Sequence, residues 1–277
     1  MTRPSWGDFA THDESAYPEF WDGVVGAWCP SLGPTGLRLH DHSRGMRWGT
    51  LTNMDAATDW TLSGGQYALD FDGTNDYVAT AQGVPIASAV LSVSLWIWRR
   101  DTPTTFPRLI DLSDGAHSVQ AVFDMGQAGS GFLVTKHTQY QSGVTGTQWG
   151  FVPTLQTWEH IVINYNGVTS STRVWRNGVE QTGAANNNIG AAAATNTLVF
   201  GVRRDLNAVT QLDGQLDDMT IFNRALSAGE IRQLYLLGRG GMYQRRRRTL
   251  RRVGVEQGAA FRAYWARRQN QIIGGGV

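Results

Sequence analysis

The chain has 277 residues, of which 17% are charged and 41% hydrophobic, with 33 Gly, 11 Trp and a formal net charge of +1. That length can bury a full core, either as one large domain with an extension or as two domains. Abundant Gly and Trp with few charges argue for a loop-rich β protein and against a helical one. No apolar run approaches the roughly eighteen residues of a membrane-spanning helix. The opening MTRPSWGDFATHDESAYPEF has no apolar run, so it does not read as a secretory signal.

The near-neutral total conceals two unlike parts. Residues 239–277 hold ten Arg and one acidic residue, Glu256, whereas residues 1–238 hold 14 basic and 22 acidic side chains. Lys136 is the single lysine.

In chain order, residues 1–19 read as an N-terminal arm, and GVVGAWCP (23–30) as a first strand. Cys29, the only cysteine, excludes an internal disulfide and a Cys-based metal site, and is expected to be a small buried hydrophobe. His40-Asp41-His42 would put two imidazoles on one face if extended. No third ligand follows at a metal-site spacing, so a polar surface loop is expected. Alternation of period two then recurs from 66 to 222. In YALDF, Tyr67, Leu69 and Phe71 share a face; in LSVSLWIW, Leu91, Val93, Leu95 and Ile97 share one face and Ser92, Ser94, Trp96 and Trp98 the other. HIVINY, TRVW, TLVFGV and DMTIF continue the series. Asn177-Gly178 marks a type I′ hairpin turn, and the small, polar stretch 182–196 a surface loop. Ser227-Ala228-Gly229-Glu230 is a capping box that opens one helix, with Ile231, Leu234 and Tyr235 as its apolar stripe and Gly238 as its C-terminal stop. Short strands followed by a single late helix predict an antiparallel β-sandwich.

These blocks resemble one family. ALDFDGTNDYVAT (68–80) is similar to the opening signature of laminin-G-like, concanavalin A-like jelly-roll domains. LSVSLWIW (91–98), WEHIVINYNG (158–167) with VWRNGV (174–179), and 198–235 follow in that family's order, covering roughly 20–237. The resemblance implies an all-β jelly-roll domain over 20–238, followed by a basic extension over 239–277. It also implies three kinds of chemistry to look for. Glycoside hydrolases of this fold need two facing carboxylates, commonly at E-x-D-x-x-E spacing, and none of the six Glu lies in such a pattern. Asp217-Asp218 are adjacent, so a regular strand sends them to opposite faces; the chain is read as non-enzymatic. Calcium is common in the family, and Asp72, Asp76, Asp213 and Asp217 are its candidate ligands here, with turn capping as the competing role. Trp96 and Trp98 project from the polar face of their strand as candidate glycan-stacking rings, with packing as the competing role.

The extension remains. QRRRRTLRR places Arg245, Arg246, Arg247, Arg248, Arg251 and Arg252 close together, a run that is extended when free and orders against anions. Beyond it, Phe261, Trp265 and Ile272 form one stripe of a helix, with Tyr264 beside it and Ile273 in the terminal apolar plug. Nucleic acid, a membrane surface or a protein groove could receive such a segment; docking to a large protein assembly is the leading reading. The segment resembles the C-termini of jelly-roll proteins encoded by tailed bacteriophages. That resemblance implies a virion protein present in many copies, decorating a capsid or belonging to a tail, with assembly in the host cytoplasm. A glycan-binding lectin is the alternative, and a laminarinase-like hydrolase the third.

Overall fold

The computed structural model describes residues 17–83, 90–101, 107–112, 121–125, 132–137, 144–166, 171–182, 197–204, 206 and 210–243; for 121–125, 132–137, 144–148, 166 and 171 it describes the backbone alone. The strands, in chain order, are β1 (Val24–Trp28), β2 (Arg38–Leu39), β3 (Gly49–Thr52), β4 (Trp60–Ser63), β5 (Gln66–Asp72), β6 (Tyr77–Thr80), β7 (Val90–Arg99) and β8 (Arg108–Asp111). They continue as β9 (Ala121–Met125), β10 (Phe132–His137), β11 (Val144–Trp149), β12 (Trp158–Asn166), β13 (Ser171–Arg176), β14 (Val179–Gln181), β15 (Val199–Phe200) and β16 (Asp213–Phe222). Among the described residues two α-helices, α1 (Pro18–Trp21) and α2 (Ala228–Leu237), flank this series.

The strands form two antiparallel sheets packed as a jelly-roll sandwich. The first runs β14-β13-β12-β7-β16-β5-β4, with β1 added to β16; the second runs β11-β10-β9-β8-β15-β6-β3-β2. Period-two alternation determines which residues meet between the sheets. Leu91, Val93, Leu95 and Ile97 of β7, Ile161 and Ile163 of β12, and Leu69 and Phe71 of β5 are buried there against Leu51, Val78, Ile110 and Phe200 of the second sheet. The Asn177-Gly178 turn has φ values of 52° and 76°, the doubly left-handed geometry of a type I′ hairpin.

A smaller apolar layer covers the outer face of the first sheet. It joins Val162, Trp175 and Phe222 to Ile231 and Leu234 of α2, Phe20 of α1, and Met242 and Tyr243. The α2 capping box forms in both directions: Ser227 Oγ accepts from the Glu230 N–H, and Glu230 Oε2 from the Ser227 N–H. Residues 239–243 stay with the sheet. Arg239, Met242 and Tyr243 are buried, and the compact unit ends at Gln244, six residues beyond the expected boundary at 238. Charge counting assigned Arg239 to the tail because it sees only the excess of Arg, whereas an ion pair with Asp217 draws this one inward. Among the described residues no helix is long and apolar enough to cross a membrane. Most of the loop expected at 182–196, and all of the docking residues expected between 245 and 273, lie outside the described residues.

Candidate functional site

The two candidate stacking rings on β7 have different fates. Trp96 is 8% exposed, stacked on the Tyr235 ring of α2 at 5.9 Å and lying 5.1 Å from the His160 ring. It is therefore not an open glycan platform, because α2 folds back over it. His160 donates to or accepts from Ser94 Oγ at 2.9 Å, and its burial pushes the imidazole down to about 3, so it stays neutral. Trp98 is partly exposed and pairs across the sheet with Trp158. Trp158 in turn lies under the Arg239 guanidinium at 3.8 Å and donates its indole N–H to Ser63 Oγ.

The adjacent carboxylates Asp217 and Asp218 do not point to opposite faces. The β16–β7 register slips between Asp217 and Thr220, and Asp218 adopts φ 52°, a bulge that turns both side chains inward on the same side. There they lie with Cys29 in one buried cluster. Asp217 accepts from the Ser31 N–H and Oγ, from its neighbour's N–H and from Arg239 Nε at 2.9 Å. Asp218 Oδ2 accepts from the Gly240 N–H. Burial, and then the charge on Asp217, push the Asp218 carboxyl up to about 8. Burial also raises the Cys29 thiol, which makes it the inert hydrophobe expected and not a nucleophile.

Calcium, expected on four aspartates, would find each of them already in another role. It takes about six to eight oxygen ligands. Asp72 Oδ1 is spent on the Thr74 and Asn75 amides, Asp76 Oδ2 on the Asp72 amide, and Asp213 pairs with Arg100. Asp217 lies apart from those three in the bulge, where its oxygens are taken by N–H and O–H donors and its neighbour is a thiol. The turn-capping role is the one Asp72 and Asp76 play. His40 and His42 do not converge on an ion either: His40 stacks on Trp48, and the His42 ring meets Tyr243 edge-on at 5.7 Å.

A cleft of about 360 Å³ beside the start of α2 is lined by Asn164, Tyr165, Arg173, Trp175, Glu180 and 225–228. Its polar groups are already engaged. Asn164 accepts from Ser92 Oγ and donates to the Leu226 carbonyl, and Arg173 faces Glu180. Trp175 is only 4% exposed, so its face is not offered to a ligand.

The β2–β3 edge of the second sheet is built the other way. Leu39, Gly49 and Leu51 point inward, and Gly49 lets the edge lie against the core, since a Cβ there would meet Val78 at 2.5 Å. By alternation Arg38, His40, Trp48 and Thr50 face outward, and Trp48 is 43% exposed. His40 stacks on the Trp48 ring at 5.8 Å and 24°, with the Arg38 guanidinium 5.2 Å from the ring centre. The connecting loop is tied down from below. Asp41, 5% exposed, accepts from the N–H groups of Ala27, Ser43 and Arg47 and from Ser43 Oγ. Trp28 Nε1 donates to the Arg47 carbonyl, and Arg47 Nη1 to the Val25 carbonyl. The same loop holds Met46 outward with φ 47° and 68% exposed. Trp48 was missed in the sequence because an isolated Trp next to a Gly carries no motif; the signal available was the alternation R-L-H with W-G-T.

Comparison with known proteins agrees with this architecture. The family model described as the concanavalin A-like lectin/glucanases superfamily (Laminin_G_3) matches residues 72–232. No curated protein matches the sequence. Among solved structures, domain 4 of an extracellular GH43 arabinanase from Geobacillus stearothermophilus, in complex with arabinotriose, is 16% identical with TM-score 0.55, covering 76% of this chain and 98% of that one. The receptor-binding domain of botulinum neurotoxin mosaic serotype C/D is 14% identical with TM-score 0.59, covering 78% of this chain and 51% of that one. The Trypanosoma rangeli sialidase in complex with sialic acid is 16% identical with TM-score 0.55, covering 77% of this chain and 33% of that one. Both hydrolases and a binding domain thus share the fold, and this chain spans about half of the toxin domain and a third of the sialidase. With its two antiparallel sheets, its late helix and a match over most of the sandwich, the chain belongs to the concanavalin A-like lectin/glucanase superfamily.

Proposed function

We propose that the domain is a non-hydrolytic glycan-binding module, presented on a larger assembly by its Arg- and aromatic-rich C-terminal segment. The observation that carries the glycan reading is the Trp48 ring, exposed on a sheet face while the loop that bears it is fixed by buried hydrogen bonds. A rigid exposed aromatic ring stacks on the C–H face of a pyranose and loses little entropy in doing so. Its neighbours His40 and Arg38 supply polar groups that could orient such a sugar.

The non-hydrolytic reading draws on how the carboxylates are used. Glycosidases need two carboxyl groups about 5–9.5 Å apart, both facing the substrate. Glu159 is 1% exposed and bound by Arg176 and the Thr154 amide, Asp70 and Asp213 are held by Arg100, and Asp217 by Arg239. The presentation reading draws on residues 245–277, with nine Arg against one Glu, and their resemblance to phage proteins makes a virion surface the assembly to test.

A glycan array separates the parts. The full chain is expected to bind at least one glycan, and Trp48→Ala to weaken that binding about tenfold or more, the effect of losing one stacked ring. A flat array with the full chain sinks the glycan reading. The anchor is tested on particles that carry the full chain: a version ending at Gln244, which keeps the buried Arg239–Tyr243 packing, is expected to be missing from them. Full occupancy by the shortened chain overturns the anchoring role.

A further inference from the structure

Resting on that glycan reading, we infer that the ligand is an acidic sugar, a pyranoside bearing a carboxylate or sulfate, seated with its ring on Trp48 and its anion against Arg38. The case begins with how arginine is used across the domain. Arg100, Arg176, Arg224 and Arg239 each meet a carboxylate at close range, on Asp70 and Asp213, Glu159, Glu230 and Asp217 respectively. Arg38 does not. Among the described residues its guanidinium rests on the Trp48 ring and pairs with no carboxylate, although the side chain is exposed.

The surroundings give that guanidinium a positive setting. Between residues 31 and 52 the chain holds Arg38, Arg44 and Arg47 and one acidic residue, Asp41. The Asp41 carboxylate faces inward and is used up on three amides and a hydroxyl, so it does not neutralise the outer face. This segment is thus cationic on a domain that is otherwise acidic, although Arg47 turns its guanidinium to the Val25 carbonyl, and it favours anionic over neutral ligands. A guanidinium stacked on a ring still has its N–H edge free to form a bidentate bond with a carboxylate or sulfate. His40 stacks on the same ring. Burial, and then the neighbouring Arg38, push its imidazole down, so at neutral pH it offers one donor and one acceptor to sugar hydroxyls. The geometry is held on both sides: Thr35 Oγ1 donates to the Arg38 carbonyl, and Trp60 Nε1 to the Gly36 carbonyl.

Matched acidic and neutral probes test the inference. Trigalacturonate and a κ-carrageenan tetrasaccharide are each titrated calorimetrically into the full chain beside their neutral forms, made by methyl esterification and desulfation. The expected result is that at least one acidic probe binds about tenfold or more tighter than its neutral form, the worth of one charge-assisted contact. Which pair shows the difference tells carboxylate from sulfate. Arg38→Gln should bring the two members of that pair to within about twofold, and Trp48→Ala should weaken both. Both side chains are exposed, so an unchanged melting temperature separates lost binding from lost folding. Equal binding of acidic and neutral forms, or a preference that survives Arg38→Gln, overturns the inference. If the array finds only neutral ligands that Trp48→Ala abolishes, the acidic inference fails while the glycan reading stands. If nothing binds in either assay, both fail.

Discussion

Trp96 and Trp48 begin alike. Each lies on a strand whose alternate residues feed the core, and each points away from that core. Trp96 ends at 8% exposure under Tyr235, and Trp48 at 43% beside Arg38. The strand itself does not make the difference. The outer face of the first sheet is crossed by α2 and by the turn ending at Tyr243, both of which come well over a hundred residues after Trp96, whereas among the described residues the β2–β3 edge receives no such cover. What an outward aromatic does in this fold is thus decided by segments far away in sequence. The covered face uses its polar groups to fasten chain to chain; the open edge leaves an arginine unspent.

If that division holds, the two faces should respond very differently to loss of one arginine. Arg239→Ala leaves the Asp217 carboxylate, 0% exposed, without its cation and uncovers Trp158; the expected loss is about 3–5 kcal/mol of unfolding free energy by urea titration. Arg38→Ala on the open edge should change stability by less than about 0.5 kcal/mol. Comparable losses at the two sites would erase the distinction.

A sharper form uses pH. The folded chain keeps the Asp218 proton up to about 8, while the unfolded carboxyl loses it near 3.8. This contribution is therefore complete below that lower value and is lost as pH rises through 8. His160 has the opposite sign: held neutral down to about 3 against an ordinary 6.5, it lowers stability as pH falls from 6.5 toward 3. Between about 4 and 6.5 the two slopes oppose each other. Above 6.5 the His160 contribution is over, and from there to pH 8 the parent should lose about 2 kcal/mol, at about 1.4 kcal/mol per pH unit, that Asp218→Asn does not lose. Parallel curves for parent and variant would show that Asp218 ionises normally. The smallest effect is at the helix that makes the cover: Ser227→Ala removes the Glu230 N–H partner and should cost about 1 kcal/mol. Because that cap is remote from Trp48, sugar binding should be unaffected.

Local chemistry made much of the sandwich legible. Leu91, Val93, Leu95 and Ile97, the Asn177-Gly178 turn and the Ser227–Glu230 box are each specified by neighbours within a few residues, and each is where alternation, turn chemistry and capping put it. Asp217 and Asp218 defeated the same reasoning because a bulge breaks the period of two, and nothing in DGQLDDMTIF announces one. Arg239 was hidden for a related reason: in composition it belongs with the Arg run, and only the buried carboxylate opposite makes it part of the domain. The open edge was unreadable because exposure depends on what does not fold over it.

The bulge has a mechanical consequence. Asp217 holds Arg239, Asp218 holds the Gly240 amide, and Thr220 meets the Tyr243 hydroxyl at 3.0 Å, so three residues of β16 grip three residues of the short stretch 239–243 at the end of the domain. A pull on the chain beyond Gln244 would meet the buried Tyr243 contact first, then the Gly240 and Arg239 contacts, before any force reached the β-ladder of the central strand. The buried Arg239–Asp217 pair, the contact furthest in from that end, would be the last of the three to give, and β16 would keep its register until it did.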